Sequence, residues 1–367
     1  MDKIKRFVEC LIPITSCNLK CSYCYIIQRK NRTLKNAVFK YTPKQIDIAM
    51  DKTRWGGACY FSICGAGETT LQNGIEEIVF SILKNGHYVN ITTNGTISTQ
   101  INKILEKCKS FISHLHFSFS FHYVELLNKN LLDIFFNNIN LCKSKGASIL
   151  VQFNMCDEYL PYLDKIKNLC IKNTGANPQI AATRRESIGL QKIELLTSYT
   201  EQEYKNFGKD FNSPLFDFTM QNFNIKRKEF CYAGDWSFNL NLSNGILKRC
   251  YASCLHQNIF ENPKEKIRLL AIGHTCASRF CMNSSHFMSL GVIPELETPT
   301  YSYLRNRKNA SWYSKDMDYF LSSKLKDNNI EYSTFKKIFC DVIGVIDNLI
   351  YQLYSKLKIF KKKQNEN

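Results

Sequence analysis

The sequence predicts an α/β protein: a parallel sheet of repeated βα units, then a small cysteine-rich hairpin unit, then a long helix. Three observations predict it. Between about residues 7 and 190, short β-branched apolar runs alternate with segments of helical periodicity, the pattern of a parallel sheet with crossover helices. From Cys231 the pattern changes to two alternating runs about a Ser243-Asn244-Gly245 turn, a hairpin signal. Residues 335–360 repeat large apolar side chains at helical spacing.

The elements follow in order. Val8–Thr15 reads as a first strand, and Thr42–Asp51 as a short helix with Thr42 as N-cap and Pro43 at its first position. Ala58–Cys64 is a second strand and Gly74–Lys84 a helix. Tyr88–Thr93 is a third strand, with a helix over Ser98–Lys109. Leu115–Phe121 is a fourth strand, followed by a helix over Leu131–Lys145. Ser148–Met155 is a fifth, followed by a helix over Leu160–Lys172, and Pro178–Ala182 a shorter sixth. Right-handed crossovers would curl this sheet into a full or partial barrel, or leave it open and doubly wound. In either form the chemistry lies at the carboxyl ends of the strands. Residues 192–228 mix helix and loop signals and link to the hairpin, Trp236–Leu242 with Ile246–Tyr251. Beyond Cys281 loop signals dominate until Phe335. There Phe335, Ile338, Phe339, Val342, Ile343, Ile346, Leu349, Ile350, Leu353 and Leu357 form an apolar stripe. Packing on the sheet or on another subunit is the expectation, with docking on a membrane surface behind it. The domain expectation is 1–225, 226–290 and 291–367.

Composition bounds the function. The chain has 367 residues, 44% of them hydrophobic and 22% charged, ordinary for a globular protein. Neither a signal peptide nor a transmembrane span is expected, so a cytoplasmic location is. The 49 basic residues exceed the 32 acidic ones, giving a net charge of +17. No basic patch interleaved with aromatics singles out nucleic acid, which is not an expected partner. Lysines spread over a solvated surface account for the charge, with an acidic small substrate as the second reading. The one dense run is Lys356 to Lys363.

Sixteen cysteines are many for a reducing compartment, where clustered thiols point to metal or catalysis rather than disulfides. Cys17, Cys21 and Cys24 form a tight group directly after the first strand. Cys231, Cys250, Cys254, Cys276 and Cys281 form a looser one. The others stand in apolar segments and read as small core residues. Three thiolates within eight residues can wrap one iron–sulfur cube and leave one iron open. Structural zinc competes, but it needs four ligands and no fourth is near in sequence.

The Cys17-x3-Cys21-x2-Cys24 spacing, with Tyr23 before the last cysteine, resembles the cluster loop of the radical S-adenosylmethionine superfamily. The resemblance implies a partial (β/α)6 barrel resembling a TIM barrel. It also implies a [4Fe–4S] cluster on Cys17, Cys21 and Cys24, and S-adenosylmethionine on the open iron. Reductive cleavage then gives a 5′-deoxyadenosyl radical that abstracts a substrate hydrogen. Cys64-Gly65-Ala66-Gly67-Glu68 is similar to the family's Gly-Gly-Glu-Pro segment, with Ala66 inserted and Thr69 in place of proline. Gly65, Gly67 and Glu68 are thereby candidates for binding the amino group of S-adenosylmethionine. Thr93-Asn94-Gly95 resembles the family's Thr-Asn-Gly. Ser118, Ser120 and His122 share a strand face, and the resemblance nominates Ser118 and Ser120 for the ribose, with Asn154 a further candidate. His122 reads as a hydrogen-bonded or surface histidine.

Thirteen residues separate Cys231 from Gly245, and four more precede Cys250. This resembles the opening of the SPASM domain. Five cysteines cannot supply eight ligands, so the shorter twitch-type version fits, with one auxiliary [4Fe–4S] cluster on Cys231, Cys250, Cys276 and Cys281 and with Cys254 as spare. Zinc remains open at this second site. Asp235 is a candidate base for a dehydrogenation, although a hairpin-supporting role also suits it, and Arg184, Arg185 and Glu186 follow the sixth strand. The implied electron donor is of flavodoxin or ferredoxin type. The implied substrate is a sugar-like small molecule or an exposed protein residue, with crosslinking or epimerisation of a ribosomal peptide as the alternative. The cluster loop beginning at residue 17 leaves no room for a preceding peptide-recognition domain and tilts the expectation toward the former. An electron carrier without enzymatic activity, and a zinc-bearing RNA-binding module, are the readings from other classes.

Overall fold

The computed structural model describes residues 2–186, 194–278, 280–281 and 284–365, with backbone alone for residue 284 and residues 354–365. Six strands pair in parallel in chain order: β1 (Arg6–Ile12), β2 (Cys59–Gly65), β3 (Tyr88–Thr93), β4 (Leu115–Ser120), β5 (Ser148–Met155) and β6 (Gln179–Ala182). Each successive pair is joined by helical chain, so this is the partial (β/α)6 barrel. A two-residue ladder, β7 (Arg184–Arg185) with β8 (Glu194–Leu195), lies outside the main sheet.

The hairpin unit continues the same sheet. β9 (Ser237–Asn241) pairs in parallel with β1, and β10 (Ile246–Lys248) and β11 (His256–Asn258) add antiparallel strands beyond it. The main sheet therefore has nine strands, and one apolar core runs from Ile4 to Cys340.

Local chemistry explains the element ends. The helix Pro43–Ala49 starts with a capping box, in which Thr42 accepts from the Gln45 N–H and the Gln45 side chain accepts from the Thr42 N–H. The first strand begins two residues earlier than the alternation suggests and stops at Ile12. Arg6 can enter it because its guanidinium finds a buried home against the Asp235 carboxylate and the Trp55 carbonyl. Pro13 has no N–H for a ladder bond. The single helix predicted over Leu160–Lys172 is instead a 3₁₀ stretch, Asp157–Tyr162, followed by the helix Leu163–Thr174, the break falling just after Pro161.

Register sorts the side chains. Phe119 packs on Phe135 of the helix Leu132–Ser144, and Phe61 packs on Trp55, so odd-numbered positions of these strands face the helical layer. Glu9, Ser62, Asn90, Ser118, Gln152 and Asn154 point to the other, inner face. The strand starts are covered by the segment that sequence patterning leaves as loop. Tyr301 packs edge-on to Tyr60, Tyr313 packs on His116, and Phe320 stacks on Tyr88 at 3.7 Å. The buried Arg305 guanidinium lies over the Tyr301 ring at 3.7 Å.

Candidate functional site

Four segments past the carboxyl ends of β1 to β4 build the site. The loop after β1 carries the cysteine triplet. Cys17 and Cys24 are half-buried and Cys21 is buried. Burial pushes the Cys17 and Cys21 thiols up, and each thiol lies close enough to the others for their charges to add to that effect. Ionising the Cys17 and Cys21 thiols there is favoured by a nearby cation, which is what a bound cluster would supply. The Cys17 sulfur also faces two N–H donors, the Leu19 backbone at 3.5 Å and Asn94 Nδ2 at 3.9 Å.

The loop is braced from beneath and from both sides. The Tyr23 hydroxyl meets His122 Nδ1 at 2.6 Å and the Tyr159 hydroxyl at 3.1 Å. Burial holds His122 down to about 4, so the imidazole is neutral near pH 7 and serves as a hydrogen-bonded support. Glu125 accepts from the Lys20 N–H and Glu158 from the Ser22 hydroxyl. Arg32 donates to the Cys17 carbonyl at 2.6 Å.

The segment after β2 closes tightly on this loop. Gly67 donates to the Ile14 carbonyl, and Glu68 donates to the Ser16 carbonyl at 2.8 Å. A Cβ on Gly67 would lie 2.2 Å from the Ser16 carbonyl oxygen. Glycine is required there by backbone contact with the residue before Cys17. The buried Glu68 carboxylate accepts from the Thr70 N–H and hydroxyl, the Thr93 hydroxyl and the Asn94 N–H, at 2.6–2.9 Å. Burial raises its pKa, and these four bonds oppose the rise. Oε1 takes three of these bonds and Oε2 one, so Glu68 fixes Thr93 and Asn94 at the end of β3. Asn94 in turn donates to Asn18 Oδ1 at 2.8 Å and accepts from Thr96. Gly95, with φ of +71°, packs its Cα side against Phe119 and Phe135.

On the inner face, the Ser118 hydroxyl donates to Asn90 Oδ1 at 2.8 Å, and Asn90 Nδ2 donates to Ser62. Ser118 is therefore knitted into the sheet. Ser120 and Asn154, at or near the ends of β4 and β5, are half-buried. Glu9 is on the same face of β1, with the Tyr251 hydroxyl hydrogen-bonded to it and Cys64 nearby. Sequence reasoning missed Glu9 and Tyr251. A charged residue in the middle of an apolar strand, and an aromatic directly after Cys250, were the available signals.

The second cysteine group gathers as four plus one. Burial drives the Cys231 thiol far up, and the charges of Cys276, Cys250 and Cys281 add to it. Cys231 exchanges both backbone hydrogen bonds with Gly273, which brings the Cys276 loop alongside. Cys254 stands apart, its neighbours being Asp347 and Lys248. Asp235 is not among the inner-face groups. Its carboxylate is paired with Arg6 at 3.2 Å and accepts from the Tyr332 hydroxyl at 2.5 Å, on the side of β1 away from Glu9. The structure gives it the supporting role rather than that of a base. Glu186 pairs with Arg29, and Arg185 with Glu194.

Among the described residues no three His, Cys, Asp or Glu side chains converge as a single metal ion would require. Thiolates on a cuboidal cluster each bind their own iron and stand farther apart.

The radical SAM superfamily model matches residues 11–156, which include the triplet, the glycine segment and Asn94. A comparison with curated proteins finds no match. Among solved structures, SuiB of Streptococcus suis bound to its precursor peptide SuiA is 18% identical, with a TM-score of 0.47 over 72% of this chain and 64% of that one. The SuiB structure without peptide likewise has 64% of its length covered. The chain thus spans just under two thirds of SuiB. Native anSMEcpe with bound AdoMet is 13% identical, with a TM-score of 0.49 over 96% of this chain and 99% of that one. HydG, a maturase of the [FeFe]-hydrogenase, is 11% identical, with a TM-score of 0.43 over 99% and 83%.

Proposed function

We propose that residues 11–156, which the radical S-adenosylmethionine superfamily model matches, form a domain of that kind, that Cys17, Cys21 and Cys24 hold a [4Fe–4S] cluster and that Cys231, Cys250, Cys276 and Cys281 hold a second. The single observation that carries the reading is the placement of three mutually interacting thiols on one loop past the carboxyl end of β1, with Asn94 from the end of β3 donating to the Cys17 sulfur at 3.9 Å. When bound, the first cluster with S-adenosylmethionine supplies a 5′-deoxyadenosyl radical that abstracts hydrogen from a substrate carbon.

The chain's own residues position and shield. Gly65 and Gly67 let the backbone approach the cluster loop, Glu68 fixes Thr93 and Asn94, and Ser120 and Asn154 line the mouth where a nucleoside would lie. The inner face offers amides, hydroxyls and the Glu9 carboxylate. Such a lining suits a hydroxyl-rich small molecule or a polar protein side chain over an apolar one, and two-electron oxidation of that group is the reaction proposed: one hydrogen atom would go to the 5′-deoxyadenosyl radical, the second electron to the cluster held by Cys231, Cys250, Cys276 and Cys281, and the remaining proton to solvent. A flavodoxin- or ferredoxin-type protein is the proposed electron donor.

The test is anaerobic reconstitution. We expect about eight irons per chain and formation of 5′-deoxyadenosine from S-adenosylmethionine under dithionite. Replacing Cys17, Cys21 and Cys24 together by alanine abolishes the nucleoside product. Cys276→Ser removes about half the iron, while Cys254→Ser removes none. Zinc in place of iron, or no cleavage by fully loaded protein, overturns the reading.

A further inference from the structure

The helix Thr334–Asn365 is held to the body along one side only. Cys340 is fully buried, and Gly344 comes so close that a Cβ there would overlap the Thr275 hydroxyl. Asp341 accepts from the His274 N–H at 2.8 Å, and Asp347 pairs with Arg249 at 2.5 Å and accepts from the Cys254 N–H. Asn348 donates to the Thr275 carbonyl. These residues grip the loops that carry Cys254 and Cys276.

The opposite side carries Phe335, Ile338, Phe339, Val342, Val345, Ile346, Leu349, Ile350 and Leu353, each 45–83% exposed. At 100° per residue they fall within an arc of about 140°. Between Ile338 and Ser355 the only charged residues are Asp341 and Asp347. Both carboxylates are turned to the body and bonded there, so the apolar side presents no acid. The run Lys356 to Lys363 then supplies five lysines in eight residues.

We propose that this helix lies flat on an anionic bilayer surface, its apolar arc in the acyl boundary and its lysine run on acidic headgroups. An outward apolar arc followed by clustered lysines is the combination that such surfaces bind. Charge complementarity favours this occupant over a second copy. A parallel helix pair sets two lysine runs side by side, and an antiparallel pair sets each run toward Lys336 and Lys337 of its mate. Among the described residues no helix is long and apolar enough to cross a membrane, so the helix rests on the surface and does not span.

The experiment is flotation of the reconstituted full chain with vesicles of phosphatidylcholine alone or of phosphatidylcholine mixed with the anionic lipid phosphatidylserine. Two variants accompany it: I346E/L349E on the exposed arc, and K361Q/K362Q/K363Q. The expected result is binding to the anionic vesicles at least tenfold stronger than to neutral ones. It weakens at high salt and falls at least tenfold in either variant, while iron content stays unchanged. Absence of vesicle binding by the unaltered chain overturns the proposal. So does a dimer in light scattering that I346E/L349E dissociates while vesicles remain unbound. Neither result bears on the cluster assignment, which iron content reads separately.

Discussion

Replacing Gly67 by alanine tests the joint between the glycine segment and the cluster loop. The added Cβ would stand 2.2 Å from the Ser16 oxygen, 2.8 Å from its carbonyl carbon and 2.9 Å from that of Thr15. Reaching even 3.0 Å from the oxygen needs a shift of 0.8 Å (3.0 − 2.2), and ordinary contact at 3.4 Å needs 1.2 Å (3.4 − 2.2). The obstacle is backbone on every side, so no rotamer relieves it. Ser16 precedes Cys17, and its carbonyl accepts from the Glu68 N–H. Overpacking of this kind costs about 1–3 kcal/mol, and loss of the Gly67 and Glu68 backbone bonds adds about 1 kcal/mol each. A displacement near 1 Å at a reacting site lowers the rate on the order of 100-fold. The assay is 5′-deoxyadenosine formation by anaerobically reconstituted G67A, with iron content and urea unfolding measured beside it. A variant with full iron, unchanged stability and a rate within twofold of the parent refutes the reasoning.

Two further outcomes concern stability. His87 is fully buried, its Nδ1 accepting from the Cys59 N–H at 3.1 Å and its Nε2 donating to the Met50 carbonyl at 2.7 Å. Burial lowers its pKa from 6.5 to about 4. Protonation would place a second donor against the Cys59 N–H. The unfolded chain takes up the proton first, so the stabilisation is complete above pH 6.5 and is lost as pH falls toward and through 4. The loss amounts to about 3 kcal/mol, and urea midpoints that stay flat from pH 7 to pH 5 would contradict it. Asp347→Ala leaves Arg249 buried without its partner and frees the Cys254 and Leu255 N–H groups. A loss of about 3–5 kcal/mol follows, checked by the same unfolding measurement.

Much of this architecture is legible in the sequence, for reasons that differ by element. Tyr88–Thr93 and Ser148–Met155 are strands with the predicted bounds because turn signals and helix starts flank them closely. The triplet is legible because its spacing belongs to one loop. What escapes is whatever depends on partners far away in sequence. Arg6 extends β1 only because Asp235 and Trp55 receive it. Tyr301, Arg305 and Tyr313 lie in a stretch of loop signals, yet they cover the strand starts by packing on Tyr60 and His116. Asp235, beside the second cysteine group in sequence, points to Arg6 instead of the inner face. The apolar stripe of residues 335–353 is legible as a helix, but its outward direction is set by Gly344 and Asp347, which periodicity alone does not rank above their neighbours.

The parallel pairing of β9 with β1 has a mechanical consequence. Hydrogen bonds from Phe7 to Leu11 run along one strand that leads into the first cysteine loop and lies flush against the strand from which the second cysteine group hangs. With no hinge between them, their separation is set by sheet spacing and not by how two bodies happen to dock. Melting should then be a single event, in which neither group of thiols can come apart while the other stays folded.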